Sequence, residues 1–187
     1  MKTGKIYRRF KATSGETVTL RALRWEDLDS CVVFVNDLVG EKKTEPNLGV
    51  MVDTRQTGEG EAEWLTNQLT GIEKGNIVSV VADVRGKIVG NSDVTRGPYK
   101  DTKRRGYLGI AISKKSRDKG IGLGDDAHPS QGKPKGGTQN NSAGTLRQQP
   151  TRDPRVREDR FQTIRSNTKK MLRNSKFIDS IIMTRDL

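Results

Sequence analysis

The stretch with the most chemical content lies near the middle of the chain. Tyr107–Ser113 alternates Leu108, Ile110 and Ile112 and reads as a strand. It runs directly into Lys114-Lys115-Ser116-Arg117-Asp118-Lys119-Gly120-Ile121-Gly122. A strand that feeds a basic, glycine-rich turn suits phosphate, because glycines let backbone N–H groups converge on one point. Arg117 and Lys119 would add charge. The same residues also make a plain solvated turn, so the local pattern alone leaves both readings open. Other chemistry is thin. Cys31 is the only cysteine and His128 the only histidine. One cysteine excludes a disulfide framework and an all-Cys zinc site. Cys31 lies beside an apolar helical stripe and reads as a small buried residue, with no nearby histidine to activate it. No Gly-x-x-x-x-Gly-Lys-Ser/Thr motif occurs.

Regular elements must hold that turn. Thr17–Arg24 alternates Val18, Leu20 and Ala22 and reads as a strand. Trp25–Val39 sets Leu28, Val32, Val35 and Leu38 on one helical face, with Glu26 and Asp27 in the first turn, where the helix dipole favours acids. Glu61–Lys74 repeats the helical spacing with Ala62, Leu65, Leu69 and Ile72, and Gly75 stands where the helix should stop. Ile77–Val84 and Ile88–Thr95 are β-rich runs joined by Arg85-Gly86-Lys87, a hairpin.

The order strand, helix, helix, hairpin, strand, then Arg117-Asp118-Lys119-Gly120-Ile121-Gly122, resembles the GNAT family of acetyl-CoA-dependent N-acetyltransferases. The family writes its pyrophosphate loop Arg/Gln-x-x-Gly-x-Gly/Ala, after a central strand. Thr19–Asp27 looks like the family's opening strand and helix start, Lys87–Gly90 like its third strand, and Phe177–Arg185 like its last. The resemblance covers about Glu16–Gly122 and Lys169–Leu187. It implies an α/β fold of the α+β type: one domain over residues 1–187, with a mixed, mostly antiparallel central sheet flanked by helices.

The composition breaks in between. Leu123–Thr168 has seven apolar residues in 46 and four of the six prolines, too little apolar surface to offset chain entropy. This segment is expected to be irregular. Lys169–Leu187 turns apolar again, with Phe177, Ile178, Ile181, Ile182 and Met183. Nineteen residues make no core alone, so this tail should belong with the front of the chain, Phe177–Thr184 pairing as a strand in the same sheet as Tyr107–Ser113 or a neighbour. The family instead has a helix, a strand and a helix with a Tyr-Glu-Lys-x-Gly-Phe-like signature over a similar length. The genetic code offers a reason. Taking the last two bases of each codon with the first of the next, Arg152–Gln162 can encode Ala-Ile-His-Val-Tyr-Glu-Lys-Ile-Gly-Phe. The same offset draws Glu-Met-Met-Leu-Ile from Gly124–Pro129 and Leu-Lys-Thr-Ile-Val-Leu-Glu-Leu from Thr138–Leu146. The block therefore reads as frame-shifted, and the bases for the family's late tyrosine straddle Val156 and Arg157.

The resemblance carries a site with it. The pantetheine arm of the cosubstrate acetyl-CoA would lie along Gly109, Ile110, Ala111 and Ile112. Its diphosphate would sit on Arg117, Asp118, Lys119, Gly120, Ile121 and Gly122. An amine would attack the thioester directly, with no acyl-enzyme and no metal. For the base that removes the ammonium proton, the candidates are Asp93 and Tyr107. Asp93 also reads as a surface carboxylate and Tyr107 as a packing residue. The acceptor would be a small-molecule or protein amine.

Charge and composition weigh the rivals. Lys and Arg number 35 against 23 Asp and Glu, for a net charge of +12. The cations are spread along the chain and aromatics are only 5%, which argues against a nucleic-acid-binding protein. No run approaches the ~18 apolar residues of a membrane span. Met1–Phe10 is basic without an apolar core, unlike a signal peptide. A cytoplasmic enzyme is expected, with self-association into a homodimer left open. The other rival is an inactive or partly folded GNAT remnant.

Overall fold

A computed structural model describes residues 2–45, 48–102, 105–121, 140–147, 162–173 and 175–186. Among these are eight strands and two α-helices. The chain opens with β1 (Ile6–Lys11) and β2 (Thr17–Arg21), then α1 (Leu28–Lys42) and α2 (Gly58–Glu73). Strands β3 (Ile77–Val84), β4 (Lys87–Arg96) and β5 (Arg105–Ile112) follow, and β6 (Asn140–Arg147), β7 (Gln162–Arg173) and β8 (Lys176–Asp186) complete the set. They form one sheet in the order β1-β2-β3-β4-β5-β6-β8-β7. Every neighbouring pair is antiparallel except β5 with β6, which is parallel. This is the mixed, mostly antiparallel α/β sheet that the sequence predicts.

Local chemistry accounts for the front half. Arg85 and Gly86 both have positive φ, 54° and 80°, the two-residue turn whose twist suits a hairpin. The Gly86 N–H donates to the Asp83 carboxylate at 2.7 Å, and Lys87 already belongs to β4. Thr57 caps α2 by accepting from the Gly60 N–H at 3.2 Å, and Gly75, at φ 72°, lets the chain leave that helix. The apolar face anticipated for α2 meets one side of the sheet, whereas that of α1 is rotated: Cys31, Phe34 and Leu38 face the core, and Val32 and Val35 are only half-buried. Leu23, Cys31, Phe34, Leu38, Leu65, Ile72, Val81 and Ile88 form a buried core there. A second cluster, Ala12, Val18, Leu20, Val80, Ala82 and Ile121, lies on the other side.

Asp27 does more than complement a dipole. Its carboxylate is buried and takes both η nitrogens of Arg21, at 2.6 and 2.7 Å. Arg21 also reaches Asp83 at 2.8 Å, so one buried guanidinium ties β2, the start of α1 and β3 together. Burial disfavours the Arg21 charge, but the two carboxylates outweigh that and raise its pKa.

Three stretches differ from the sequence reading. β1 was not anticipated: its cations, Arg8, Arg9 and Lys11, mask the alternation, and as an edge strand it leaves only Tyr7 and Phe10 half-buried. β6 and the start of β7 fall inside the segment expected to be irregular. Asn-Asn-Ser-Ala-Gly-Thr-Leu-Arg has poor strand propensity, yet β5 and β8 both present ladders to it, and tertiary pairing overrides a weak local preference. The apolar tail pairs as β8 within the same sheet as β5. The stretch aligned with the family's late tyrosine, around Val156 and Arg157, lies outside the described residues.

Candidate active site

β5 is held on one side along nearly its whole length. Its partners on β4 run from Gly106 opposite Arg96 to Ile112 opposite Gly90. On the other side it pairs with β6 for only four residues, Arg105 with Asn140 through Leu108 with Ala143. β6 then continues with β8, from Gly144 opposite Ile182 to Arg147 opposite Asp179. The two parallel strands therefore part after Leu108. Among the described residues, the edge of Gly109–Ile112 facing away from β4 has no ladder partner. Ile110, at 56% exposure, stands at that opening.

The open edge leads straight into the basic turn. Lys114–Ser116 makes one 3-10 turn, and Asp118 and Gly120 then adopt the left-handed region at φ 62° and 76°. Asp is among the few non-glycine residues that take this conformation readily. A Cβ built on Gly120 would meet nothing within 4 Å, so the space before it is open. Among the described residues, no partner takes the backbone N–H of Lys119 or Gly120. The far end is fixed: the Thr13 N–H donates to the Lys119 carbonyl at 3.2 Å, and Ile121 is buried in the second core cluster. Gly122 lies outside the described residues.

Arg117 has a different environment from the one its sequence suggests. Its Nε donates to the Ile112 carbonyl at 2.9 Å, and its two η nitrogens are taken by Glu41 and Glu45. Lys119 Nζ lies 3.6 Å from Glu16, and Lys114 Nζ lies 2.9 Å from Glu45. Three of the four cations of residues 114–119 thus meet carboxylates: Lys114 with Glu45, Arg117 with Glu41 and Glu45, and Lys119 with Glu16. Net charge no longer makes the turn a phosphate site. What remains for an anion is the pair of free N–H groups and the backbone shape around them. No sequence signal pointed to Glu41 or Glu45, which lie 76 and 72 positions from their partner.

The two base candidates share one face. Directly paired residues of neighbouring strands project to the same side of a sheet. Ser79, Asp93 and Gly109 are paired in succession across β3, β4 and β5, and Thr95 pairs with Tyr107. The side is that of the helices, since Val81 and Ala111 on it join the helix-side core. An Asp93 carboxylate oxygen lies only 3.1 Å from where a Cβ on Gly109 would be, so it leans over the backbone of the open strand. Burial raises the Asp93 pKa, and a hydrogen bond with Thr95 partly opposes the rise. Tyr107 is 53% exposed, two residues before Gly109. Beneath them, fully buried Ser79 lies 3.3 Å from the Asn91 amide oxygen. Cys31 is remote in character: it is buried, and desolvation with nearby Glu61 pushes its thiol up to about 12, so it is no nucleophile. Among the described residues, no group of His, Cys, Asp or Glu could hold a metal ion, and no helix is long and apolar enough to cross a membrane.

No protein-family model and no curated protein matches the chain. Solved structures do. An acetyltransferase of the GNAT family from Streptococcus pneumoniae superposes with a TM-score of 0.69 at 19% identity, covering 91% of this chain and 99% of that one. RimL, a ribosomal L7/L12 alpha-N-protein acetyltransferase in complex with coenzyme A, gives 0.70 at 13% identity over 98% of both chains. The putative acetyltransferase yncA from Salmonella typhimurium, with its cofactor acetyl-CoA, gives 0.70 at 14% identity, covering 91% and 94%. At such identities the likeness establishes the fold, and that fold is the one GNAT acetyltransferases have.

Proposed function

We propose that this chain is an N-acetyltransferase that moves the acetyl group of acetyl-CoA to a primary amine by direct attack. The observation that carries the reading is the parting of β5 and β6 after Leu108. Among the described residues it leaves Gly109–Ile112 with no ladder partner on one edge, and that edge runs straight into the N–H groups of Lys119 and Gly120. A long ligand with amide groups at one end and a diphosphate at the other has the chemistry to match both. When bound, acetyl-CoA supplies an activated acyl thioester; the chain supplies position. Backbone groups of β5 would orient the pantetheine arm, and the residue 117–122 turn would hold the diphosphate. Holding both reactants in line accounts for much of the rate in such transfers.

Asp93 is the base in this reading. Its raised pKa makes it a better proton acceptor near neutrality than an ordinary carboxylate, and it leans over the strand along which the thioester would lie. It takes one proton from the acceptor's ammonium group, leaving the neutral amine that attacks. Tyr107, exposed on the same face, is the alternative. The whole chain acts as one domain, in the cytoplasm, on a small-molecule or protein amine.

A second reading has one fact in its favour. The sequence has only three tyrosines, Tyr7, Tyr99 and Tyr107, and none in the late segment where the family carries one. A chain that binds CoA without turning over would fit that. Calorimetry with CoA, beside a thiol-release assay over a panel of primary amines, separates the two. Binding with amine-dependent thiol release supports the enzyme, binding alone supports the remnant, and no binding rejects both.

A further inference from the structure

We propose that Glu41 and Glu45, at the end of α1, are positioning residues that set the shape of the residue 117–121 turn. The inference rests on the reading of that turn as the diphosphate cradle.

The placement of these acids is anomalous for a helix. The C-terminal end of a helix carries partial negative charge and favours cations. Glu41 nevertheless stands in the last turn of α1, and Glu45 three residues beyond Lys42. Both carboxylates turn toward the chain leaving β5. Glu41 takes one η nitrogen of Arg117 and also accepts the Lys114 backbone N–H at 2.8 Å. Glu45 takes the other η nitrogen and lies 2.9 Å from Lys114 Nζ. The Arg117 Nε closes the set on the Ile112 carbonyl. Five donors of Lys114 and Arg117 are thereby fixed, four against the two carboxylates at the helix end and one on the Ile112 carbonyl. Glu41 is only 13% exposed and Arg117 27%, so solvent screens the pair less than an open surface pair. The forked guanidinium fits two carboxylates in one plane, which an ammonium cannot do.

The consequence is geometric. Asp118–Gly120 spans two fixed points. The near one is this ion-pair cluster, and the far one is the Lys119 carbonyl bond with Ile121 in the core. Asp takes the left-handed backbone more readily than most residues, but it has other conformations open to it, and at Asp118 the two fixed points select this one. Releasing the near point frees the chain to leave that conformation, and the N–H groups of Lys119 and Gly120 then lose the placement it gives them. Arg117 thus serves an anion through α1 and not through its own charge.

The test uses the full chain carrying Glu41→Gln and Glu45→Gln, read by hydrogen exchange and by calorimetry with CoA. Exchange in residues 114–121 should quicken about tenfold while β3 stays protected, and CoA should bind about tenfold more weakly. Arg117→Lys, which keeps the charge and loses the fork, should shift both readouts the same way. If the double variant does not fold, Glu45→Gln alone, at the more exposed position, should give a smaller shift of the same sign. Unchanged exchange in residues 114–121 would overturn the inference. Faster exchange with unchanged CoA affinity would leave the tether standing and overturn instead the assignment of the turn to the diphosphate.

Discussion

β5 and β6 lie side by side in one sheet, run the same way and pair over four residues, yet they form for different reasons. β5 alternates Leu108, Ile110 and Ile112 and enters a turn fixed at both ends by named side chains: Arg117 against Glu41 and Glu45, and Ile121 in a core. β6 is Asn-Asn-Ser-Ala-Gly-Thr-Leu-Arg and owes its conformation to the ladders of β5 and β8. One wall of the candidate groove is thus specified by side chains and the other by backbone pairing. Where they part, a strand edge is left free. Substitutions should cost much on the β5 side and little on the β6 side.

The largest loss should come from Arg21→Leu. It strands the Asp27 and Asp83 carboxylates where β2, the start of α1 and β3 meet, and breaking one side of such a buried pair costs about 3–5 kcal/mol. A melt should fall accordingly; an unchanged melting temperature would mean that β2, α1 and β3 need no ionic tie. Next comes Asp93→Asn. With an active acceptor in hand, kcat should drop about 10²–10⁴-fold. In the unaltered chain the acid limb of kcat should sit above the usual carboxylate range. The Asp93 pKa is raised, so the proton-accepting form is lost as pH falls through that raised value. An acid limb at or below the ordinary aspartate range would remove Asp93 from the role. Gly109→Ala should cost about tenfold in kcat, because the new Cβ would sit 3.1 Å from the Asp93 carboxylate and push it aside, with CoA affinity little changed. The smallest effect belongs to β6. Asn141→Val, between Gly106 and Arg185 in the ladder, should stabilise by under about 1 kcal/mol through strand propensity. A large destabilisation there would erase the contrast between the two walls.

What could be read from the sequence follows the same division. The hairpin of Ile77–Val84 and Ile88–Thr95, the two helices and the Tyr107–Ser113 strand were legible because β-branched alternation, helical spacing and turn residues agree locally. β1 was not, since cations interrupt its pattern, and β6 was not, since nothing in it asks to be a strand. At the site, the backbone features of the turn were legible in Gly120 and its neighbours. The fate of Arg117 was not: its carboxylates are more than 70 residues away, and spacing along the chain says nothing of which distant acid meets which base. Asp93 was a base candidate in the sequence beside Tyr107, but only the sheet register sets it opposite Gly109.

The most direct test of the central claim is calorimetric titration of CoA into the unaltered chain and into Gly120→Asp. An aspartate there puts a carboxylate within about 4 Å of the diphosphate, a repulsion on the order of 4 kcal/mol before relaxation, or several hundredfold in affinity. The account predicts one CoA bound per chain and a loss of that size in the variant. Equal affinity in both proteins, or no binding to either, would contradict it.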